Sequence, residues 1–265
     1  MYCPTRIPCL LLLALLVASP AATALAKQLP LIPVDPADFS APVDNPYFPM
    51  AFGCTYIYEV ETDEGLVVNE ITVTPCLVTI LGVECTIIYD VEYLIVDGVP
   101  VKLEETFDFH AWDNHGNAWY FGEDTVEYIY DEMWNPLGCT TEGTWRAGAD
   151  GAMAGIIMLA DPEEGLSYYQ EFAEGIAEDQ AKVLRDDANV STGLADFTAV
   201  VITKEWSPLS TGHNEQKFYA PGVGLVKILE LKEKTVNVEL VDIRKDIIDC
   251  AQLVEDFYLI FNLCD

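Results

Sequence analysis

The chain has 265 residues and a formal net charge of −31, from 13 lysine and arginine side chains against 44 aspartate and glutamate side chains. Such an acidic balance disfavours binding to nucleic acid or to anionic membrane surfaces, because both are negatively charged. The hydrophobic content of 51% still predicts a packed core. The simplest interpretation of the charge is solubility in a salty medium, and the alternative is a surface that attracts cations.

Residues 1–26 predict a secretory signal peptide. The apolar run Leu10–Val17 follows a single charge at Arg6, and Ala24–Ala26 fits a small-residue cleavage site before Lys27. Cleavage would remove one arginine and take the net charge from −31 to −32. The apolar run is too short to cross a bilayer, and no other uncharged run reaches about 18 residues. We therefore expect a secreted or periplasmic protein without membrane insertion.

The number of cysteines in the mature chain predicts disulfide bonds, because it is even and the protein is expected to be exported. These cysteines are Cys54, Cys76, Cys85, Cys139, Cys250 and Cys264. Cys76 and Cys85 flank a short turn and could bridge a hairpin, while Cys250 and Cys264 could close the C-terminal tail. The remaining two cysteines would then pair with each other. The chain has no Cys-x-x-Cys spacing, so a zinc site is less favoured.

The segment 27–49 holds six prolines and predicts an extended lead-in lying over the domain. We expect the aromatic side chains of Asn45–Pro49 to enter the core. From residue 50 to residue 243, β-rich segments alternate with turn sequences about every 10 to 15 residues, and Asp97-Gly98 is the clearest turn. This spacing predicts an antiparallel sheet rather than alternating strands and helices.

The predicted fold class is therefore all-β and mainly antiparallel. We expect one curved sheet, a half-barrel or partly open barrel, over residues 50–243. Residues 244–265 predict a short irregular or helical tail that contains cysteines. In this interpretation the inner side of the sheet is apolar and the outer surface is rich in carboxylates.

Two segments allow alternatives. Leu166–Leu184 contains good helix formers with apolar side chains four residues apart, but Glu174-Gly175 could be the turn of a hairpin. We predict the hairpin, because the neighbouring segments are all β. The segment Ala147–Ala160 is small and apolar, which is typical of a buried strand with bulges; the alternative is a flap over a cavity.

The stretch Val101–Tyr130 is the densest in aromatic, acidic and histidine side chains. Side chains alternate between the two faces of a strand. One face, from Val101 to Ala111, is mostly apolar and is expected to pack on a core. The other face aligns Glu104, Asp108 and His110.

Two interpretations of this polar face compete. It is either a solvated strand face of an acidic protein, with the nearby aromatic side chains in the core, or it is a binding site. The candidate ligand-binding residues, which would supply polar contacts and aromatic walls, are Glu104, Asp108, His110, Trp112, Trp119, Tyr120 and Trp145. The candidate ligands for a divalent cation, the one cofactor that the sequence suggests, are Glu104, Asp108, His110, Glu123 and His213.

Several segments resemble a group of uncharacterised secreted bacterial proteins. They are NPYFPM (Asn45–Met50), GNAWYFGED (Gly116–Asp124), EGTWRAGADGAMAGIIM (Glu142–Met158), KEWSPL (Lys204–Leu209) and FYAPGVGLVK (Phe218–Lys227). The resemblance spans most of the mature chain but implies no activity. The tail after Arg244 departs from it. A looser likeness, to periplasmic half-barrels that carry lipids, is an analogy of fold alone.

Together these observations favour an exported, acidic β-domain protein that binds a small apolar or amphipathic molecule without catalysis. The alternatives are a divalent-cation-binding protein and a hydrolase that uses His110 with Asp108. The partner is thus a small molecule or a cation, and not a nucleic acid. The sequence contains no Gly-x-Ser-x-Gly, His-Glu-x-x-His or phosphate-binding glycine motif that would favour the hydrolase.

Overall fold

The computed structural model describes residues 29–210, 212, 214–231 and 237–264, so the predicted signal peptide lies outside the described residues. Within this part the fold is almost entirely antiparallel β-structure, as the sequence predicts. A 3-10 helix (Pro36–Phe39) precedes the strands and an α-helix, α1 (Cys250–Phe261), follows them. The strands are β1 (Cys54–Thr62), β2 (Gly65–Ile80), β3 (Val83–Val96), β4 (Val99–Trp112), β5 (Ala118–Tyr130), β6 (Pro136–Thr140), β7 (Trp145–Arg146), β8 (Met153–Met158), β9 (Ser167–Tyr169), β10 (Glu171–Phe172), β11 (Gln180–Ser191), β12 (Asp196–Trp206), β13 (Asn214–Ala220), β14 (Gly224–Glu230) and β15 (Asn237–Lys245).

The strands form one sheet that curls into a nearly closed barrel. Their order is β10-β8-β5-β4-β3-β2-β1-β15-β14-β13-β12-β11-β9, with β6 and β7 also paired to β5. The two ends of this path, β9 and β10, are separated in the chain by Gln170 alone. The backbone therefore joins the two edges of the sheet, and one face of the sheet encloses an interior.

Tight turns set the pairing register of the long hairpins. Leu81-Gly82 and Asp97-Gly98 each form a two-residue loop in which both residues have positive φ, from 50° to 81°. Ile80 then pairs with Val83, and Val96 pairs with Val99. Such loops match the right-handed twist of the strands they join, which is why glycine or aspartate is favoured in them. The turn predicted at Asp97-Gly98 is confirmed.

The two ambiguous segments are both β-structure. Between β10 and β11 the chain turns at Gly175, whose φ is 74°, and Ala173 forms a bridge with Ala177. The hairpin interpretation of Leu166–Leu184 is therefore confirmed, and its second arm continues to Ser191. The other segment contributes the buried strand β8 rather than a flap. A Cβ atom at Gly155 in this strand would lie 2.4 Å from the backbone of Gln170, so the close approach requires glycine.

Helix α1 covers the outer face of the barrel over β4 and β5. Phe257 stacks on the fully buried Phe107 with 3.8 Å between ring centroids. The guanidinium of Arg146 forms an ion pair with Asp124 and donates a 2.9 Å hydrogen bond to Tyr258 of the helix. This packing buries the apolar face that the sequence predicted for β4. It also means that both faces of this strand are covered.

Two disulfide bonds tie the tail to the barrel, but in a pairing that differs from the predicted one. Cys76 of β2 bonds to Cys250, and Cys139 of β6 bonds to Cys264. The predicted Cys76–Cys85 and Cys250–Cys264 bridges are therefore wrong, and so is the Cys54–Cys139 bridge. Cys54 and Cys85 form no disulfide bond in the described part of the chain. Local spacing misled the prediction because each bond joins segments more than 120 residues apart, which the barrel and the helix bring together.

The lead-in packs against the β-domain through its aromatic side chains. Phe39 contacts Trp119 and Phe121 edge-on, at 5.7 and 5.6 Å between centroids. Further along, Phe48 lies 5.0 Å from the ring of His110, and its carbonyl oxygen accepts a 2.8 Å hydrogen bond from the indole of Trp112. The lead-in thereby holds one end of the barrel in place.

Candidate functional site

A cavity of about 200 Å³ lies inside the barrel. One part of its wall is apolar and aromatic, and includes Tyr56, Tyr58, Ile71, Val73, Ile88 and Leu225. A smaller space of about 50 Å³ adjoins it and shares Tyr58, Ile71 and Leu225. A cavity of about 150 Å³ lined by aliphatic side chains is large enough to hold benzene. The interior is therefore large enough for a small molecule somewhat larger than benzene.

The other part of the wall is rich in carboxyl groups. Its acidic members are Asp90, Glu104, Asp108, Glu123, Glu142, Glu171, Asp179 and Glu205. They come from strands β3, β4, β5, β10 and β12 and from two connecting segments. The expectation of an apolar inner side and an acidic outer surface is thus wrong for this part of the interior. Inward-facing positions hold carboxyl groups that a tightly filled core would exclude.

A β-bulge brings two of the polar side chains together. Along β5 the pairing with β4 shifts between Asp108 and His110, so Tyr120 and Glu123, three residues apart, both face the cavity. Gly122 lies at the bulge with φ 128°, and a Cβ atom there would approach the carbonyl oxygen of Trp145 to 2.3 Å. Only glycine fits this position, because both the backbone angle and the neighbouring strand exclude a side chain.

The hydroxyl of Tyr120 lies between two carboxyl groups. It is 2.6 Å from Asp108 Oδ1 and 2.9 Å from Glu123 Oε2. A tyrosine hydroxyl has one proton to donate, so one of the two carboxyl groups must itself be protonated for both contacts to be hydrogen bonds. Burial raises the pKa of Glu123 to about 8, with a further contribution from the charge of Asp108. Burial raises the pKa of Asp108 to about 6, opposed by the Tyr120 hydrogen bond. Near neutral pH, protonated Glu123 therefore donates to Tyr120, which donates to the Asp108 carboxylate.

The variant Glu123→Gln tests this proton assignment. The folded-state pKa of Glu123, about 8, lies above its ordinary value of 4.5. The stabilising contribution of its bound proton is therefore complete below about pH 4.5 and is lost as the pH rises through 8. Glutamine cannot ionise and can still donate to Tyr120. We expect the free energy of unfolding of the variant, relative to wild type, to rise by about 1–3 kcal/mol between pH 5 and pH 8.5, allowing for partial solvation in the cavity.

Urea unfolding at several pH values measures this difference. The exposed Glu84→Gln on β3 makes the same chemical change outside the barrel and serves as the control. The assignment would be contradicted if the free energies of unfolding of wild type and Glu123→Gln changed in parallel with pH.

His110 faces the cavity as a neutral imidazole. Burial lowers its pKa to about 3. Its Nδ1 atom lies 3.2 Å from the carbonyl oxygen of Trp119, which can only accept, so Nδ1 carries the proton and Nε2 is left as an acceptor. The ring stacks on Tyr120 at 4.7 Å. The geometry therefore makes His110 a polar and aromatic part of the wall.

Lys217 of β13 is the one basic side chain, among the residues described, that lines the cavity. Its ammonium lies 3.0 Å from Glu205 and 3.0 Å from Glu215. Burial alone would lower the pKa of Lys217, but these two carboxylates outweigh it and hold the pKa well above its ordinary value. Glu205 also accepts hydrogen bonds from Thr203 and Tyr219 at 2.6 and 3.1 Å. The positive charge is thus already neutralised within the wall.

The structure separates the predicted ligand-binding residues into two groups. Glu104, Asp108, His110 and Tyr120 line the cavity. The three predicted tryptophan walls do not: the indole of Trp112 donates to Phe48, that of Trp119 donates to Asp113 at 2.9 Å, and Trp145 packs edge-on against Tyr120 at 5.5 Å. These three tryptophans are not among the residues that line the cavity. The interpretation of the polar face of β4 as a solvated surface is wrong.

The divalent-cation interpretation gains no support from this arrangement. Among the described residues, no three histidine, cysteine or acidic side chains are placed so that they could hold a metal ion. Glu104, Asp108, His110 and Glu123 do share the cavity wall. The fifth predicted ligand, His213, lies outside the described residues.

The hydrolase interpretation gains no support from this arrangement either. His110 and Asp108 face the same interior, but the His110 Nδ1 proton points to Trp119, and the hydrogen bond that Asp108 accepts comes from Tyr120. A histidine with a pKa near 3 is a weak general base at neutral pH. The described residues therefore show no hydrogen bond between Asp108 and His110, which the proposed pairing would use to orient the base.

Sequence reasoning missed most of the far side of the cavity. Glu171, Asp179, Glu205 and Lys217 come from the second half of the chain and meet the β4 residues only because the sheet closes. One usable pattern existed: Glu215, Lys217 and Tyr219 alternate on β13, which places charged and aromatic side chains on one face of that strand.

Comparisons with known proteins found solved structures of low similarity. No protein-family model matches the chain, and no curated protein does. A candidate lipoprotein of Parabacteroides distasonis has 14% identity and a TM-score of 0.37, over 76% of this chain and 100% of that one. A candidate exported protein of Bacteroides fragilis with a YmcC-like fold has 13% identity and a TM-score of 0.35, over 77% and 99%. At this level of similarity they carry no argument about function.

Within the ranges that the structure describes, no helix is long and apolar enough to cross a membrane.

Proposed function

We propose that this protein is an exported binding protein that holds a small amphipathic molecule inside the barrel. The observation that carries the proposal is the cavity itself, whose lining combines apolar and aromatic side chains with hydrogen-bonding carboxyl groups. Binding sites of this type combine a mostly apolar lining with a few polar groups that fix the orientation of the ligand. An apolar group would lie against Ile71, Val73 and Ile88, and a polar group would reach Asp108, Glu123 and His110.

Export is supported by two independent features. The first 26 residues have the pattern of a signal peptide. The two disulfide bonds are typical of proteins that mature in an oxidising compartment, such as the periplasm or the extracellular space. The location proposed is therefore secreted or periplasmic.

Filling the cavity tests the proposal. Ile71 lines the cavity and is half-buried, so Ile71→Trp is expected to occupy ligand space. The control is Ile57→Trp, also at a half-buried isoleucine, but on the outer face of β1 between the inward-facing Tyr56 and Tyr58. The probes are 2-phenylethanol and 2-phenylethylamine, which have nearly the same shape. We expect at least one to bind wild type and Ile57→Trp, and to bind Ile71→Trp about tenfold more weakly or worse. Isothermal titration calorimetry on the mature chain measures these affinities. Unchanged binding to Ile71→Trp would overturn the proposal.

A further inference from the structure

The carboxyl groups of the cavity are in large excess over the positive charge available to them. Eight acidic side chains line the interior, and the ammonium of Lys217, the basic group of that lining in the described residues, is already paired with Glu205 and Glu215. An anionic ligand would be repelled by these carboxylates, and Lys217 is already paired and so could not neutralise it. The electrostatics of the wall therefore favour a ligand that carries positive charge.

Glu171 is the clearest sign of a missing partner. Its side chain lines the cavity, the residue is 1% exposed, and neither carboxylate oxygen has a hydrogen-bond partner within the described chain. A buried polar group without a partner is costly, and native structures leave few of them. A ligand that donates hydrogen bonds would satisfy it.

The surroundings of Glu171 identify which donor is suitable. The charged and titratable groups around it are Asp179, Glu123, Asp108 and Lys217. A metal ion is disfavoured, since no three of the described ligand-type side chains are arranged to hold one. An ammonium group offers three donors and a positive charge, and it can be attached to an apolar body that the apolar part of the lining would accept.

We propose that the ligand is a small organic cation, a protonated amine with a compact apolar group, whose ammonium binds Glu171 next to Asp108 and Glu123. This inference rests on the proposed function and makes it more specific. The apolar group lies against the apolar lining of β1 and β2, which includes Tyr56, Ile71 and Val73. Lys217 contributes no charge contact to the ligand, because it remains paired with Glu205.

Binding of this kind releases protons. Burial raises the pKa of Glu171 well above its ordinary value, and the neighbouring carboxylates raise it further. Glu123, which faces Asp108, Asp179 and Asp90, also has a raised pKa. The Glu171 carboxyl gives up its proton to solvent as the ammonium of the ligand arrives. The bound pair is then the ligand ammonium and the Glu171 carboxylate. The affinity should therefore rise as the pH increases from 6 to 8.

The experiment compares three probes of similar shape on the mature chain: 2-phenylethylamine, 2-phenylethanol and phenylacetate. Isothermal titration at pH 7.5 is expected to give the amine at least about tenfold higher affinity than the alcohol, and phenylacetate the weakest binding. Glu171→Gln should weaken amine binding about tenfold or more and should reduce the preference for the amine over the alcohol. Titrations of wild type in two buffers with different ionisation enthalpies should report proton release with the amine alone.

The outcomes separate the two proposals. Equal binding of amine and alcohol, or preferred binding of phenylacetate, would overturn the inference of a cationic ligand and leave the binding function in place. Failure of all three probes to bind would count against both. The buffer titrations use wild type, so they decide the matter even if Glu171→Gln does not fold, and amine binding without proton release would also overturn the inference.

Discussion

Removing the Cys76–Cys250 disulfide bond in the double variant Cys76→Ser/Cys250→Ser is expected to lower the free energy of unfolding by about 3–5 kcal/mol. The bond joins residues 174 positions apart, so it restricts the unfolded chain strongly. It also holds the first turn of α1 on β2. We therefore expect the amide protons in that turn to lose protection from hydrogen exchange, while those in β3 and β4 keep theirs.

The matched control for this prediction is Cys54→Ser, because Cys54 is half-buried and forms no disulfide bond among the residues described. Urea unfolding of the three proteins without reductant measures the loss, and the control should stay within about 0.5–1 kcal/mol of wild type. Alkylation of denatured, unreduced protein should label Cys54 and Cys85. Labelling of Cys76 or Cys250, or equal stability of the double variant and wild type, would contradict the observed pairing.

Replacing Lys217 with methionine is expected to cost about 3–5 kcal/mol at pH 7, because it leaves the buried Glu205 carboxylate without its counter-charge. Inside the barrel, Glu205 is buried and Lys217 is half-buried, with 3.0 Å between the ammonium and the carboxylate. Methionine has a similar length and no charge, so the change in packing is small.

A double-mutant cycle separates the lost charge from lost packing. In Lys217→Met/Glu205→Gln, neither member of this pair is charged, and the double variant should therefore be more stable than Lys217→Met alone. Chemical unfolding of wild type, both single variants and the double variant at pH 7 gives the coupling energy. If the loss of unfolding free energy in the double variant equalled the sum of the losses in the two single variants, the pair would not be coupled.

The strands could be predicted from sequence because the information that sets them is local. The glycines of two-residue turns, as at Asp97-Gly98, and the alternation of side chains on each strand are both visible in short windows. The same alternation placed Glu104, Asp108 and His110 on one face, and these residues do line the cavity. The helical nature of the tail was left open, since twelve residues of mixed polarity gave no decisive pattern.

The features that could not be predicted all depend on long-range closure. The disulfide partners are determined by where α1 lies on the barrel, not by the spacing of cysteines. The position of Glu123 beside Tyr120 depends on the bulge at Gly122, which shifts the alternation of faces. Glu171 and Lys217 join the site only when β9 and β10 connect the edges of the sheet. The tryptophans were assigned to the wall on residue type alone, and they are not among the residues that line the cavity.

The central claim is that the interior of the barrel holds a small cationic molecule, and native mass spectrometry of protein purified from its own export compartment tests it most directly. Wild type and Ile57→Trp are expected to carry one small basic molecule per chain, released on mild activation, and Ile71→Trp is expected to carry none. The claim would be contradicted if all three proteins carried the same bound molecule, or if each of them were the mature chain with nothing bound.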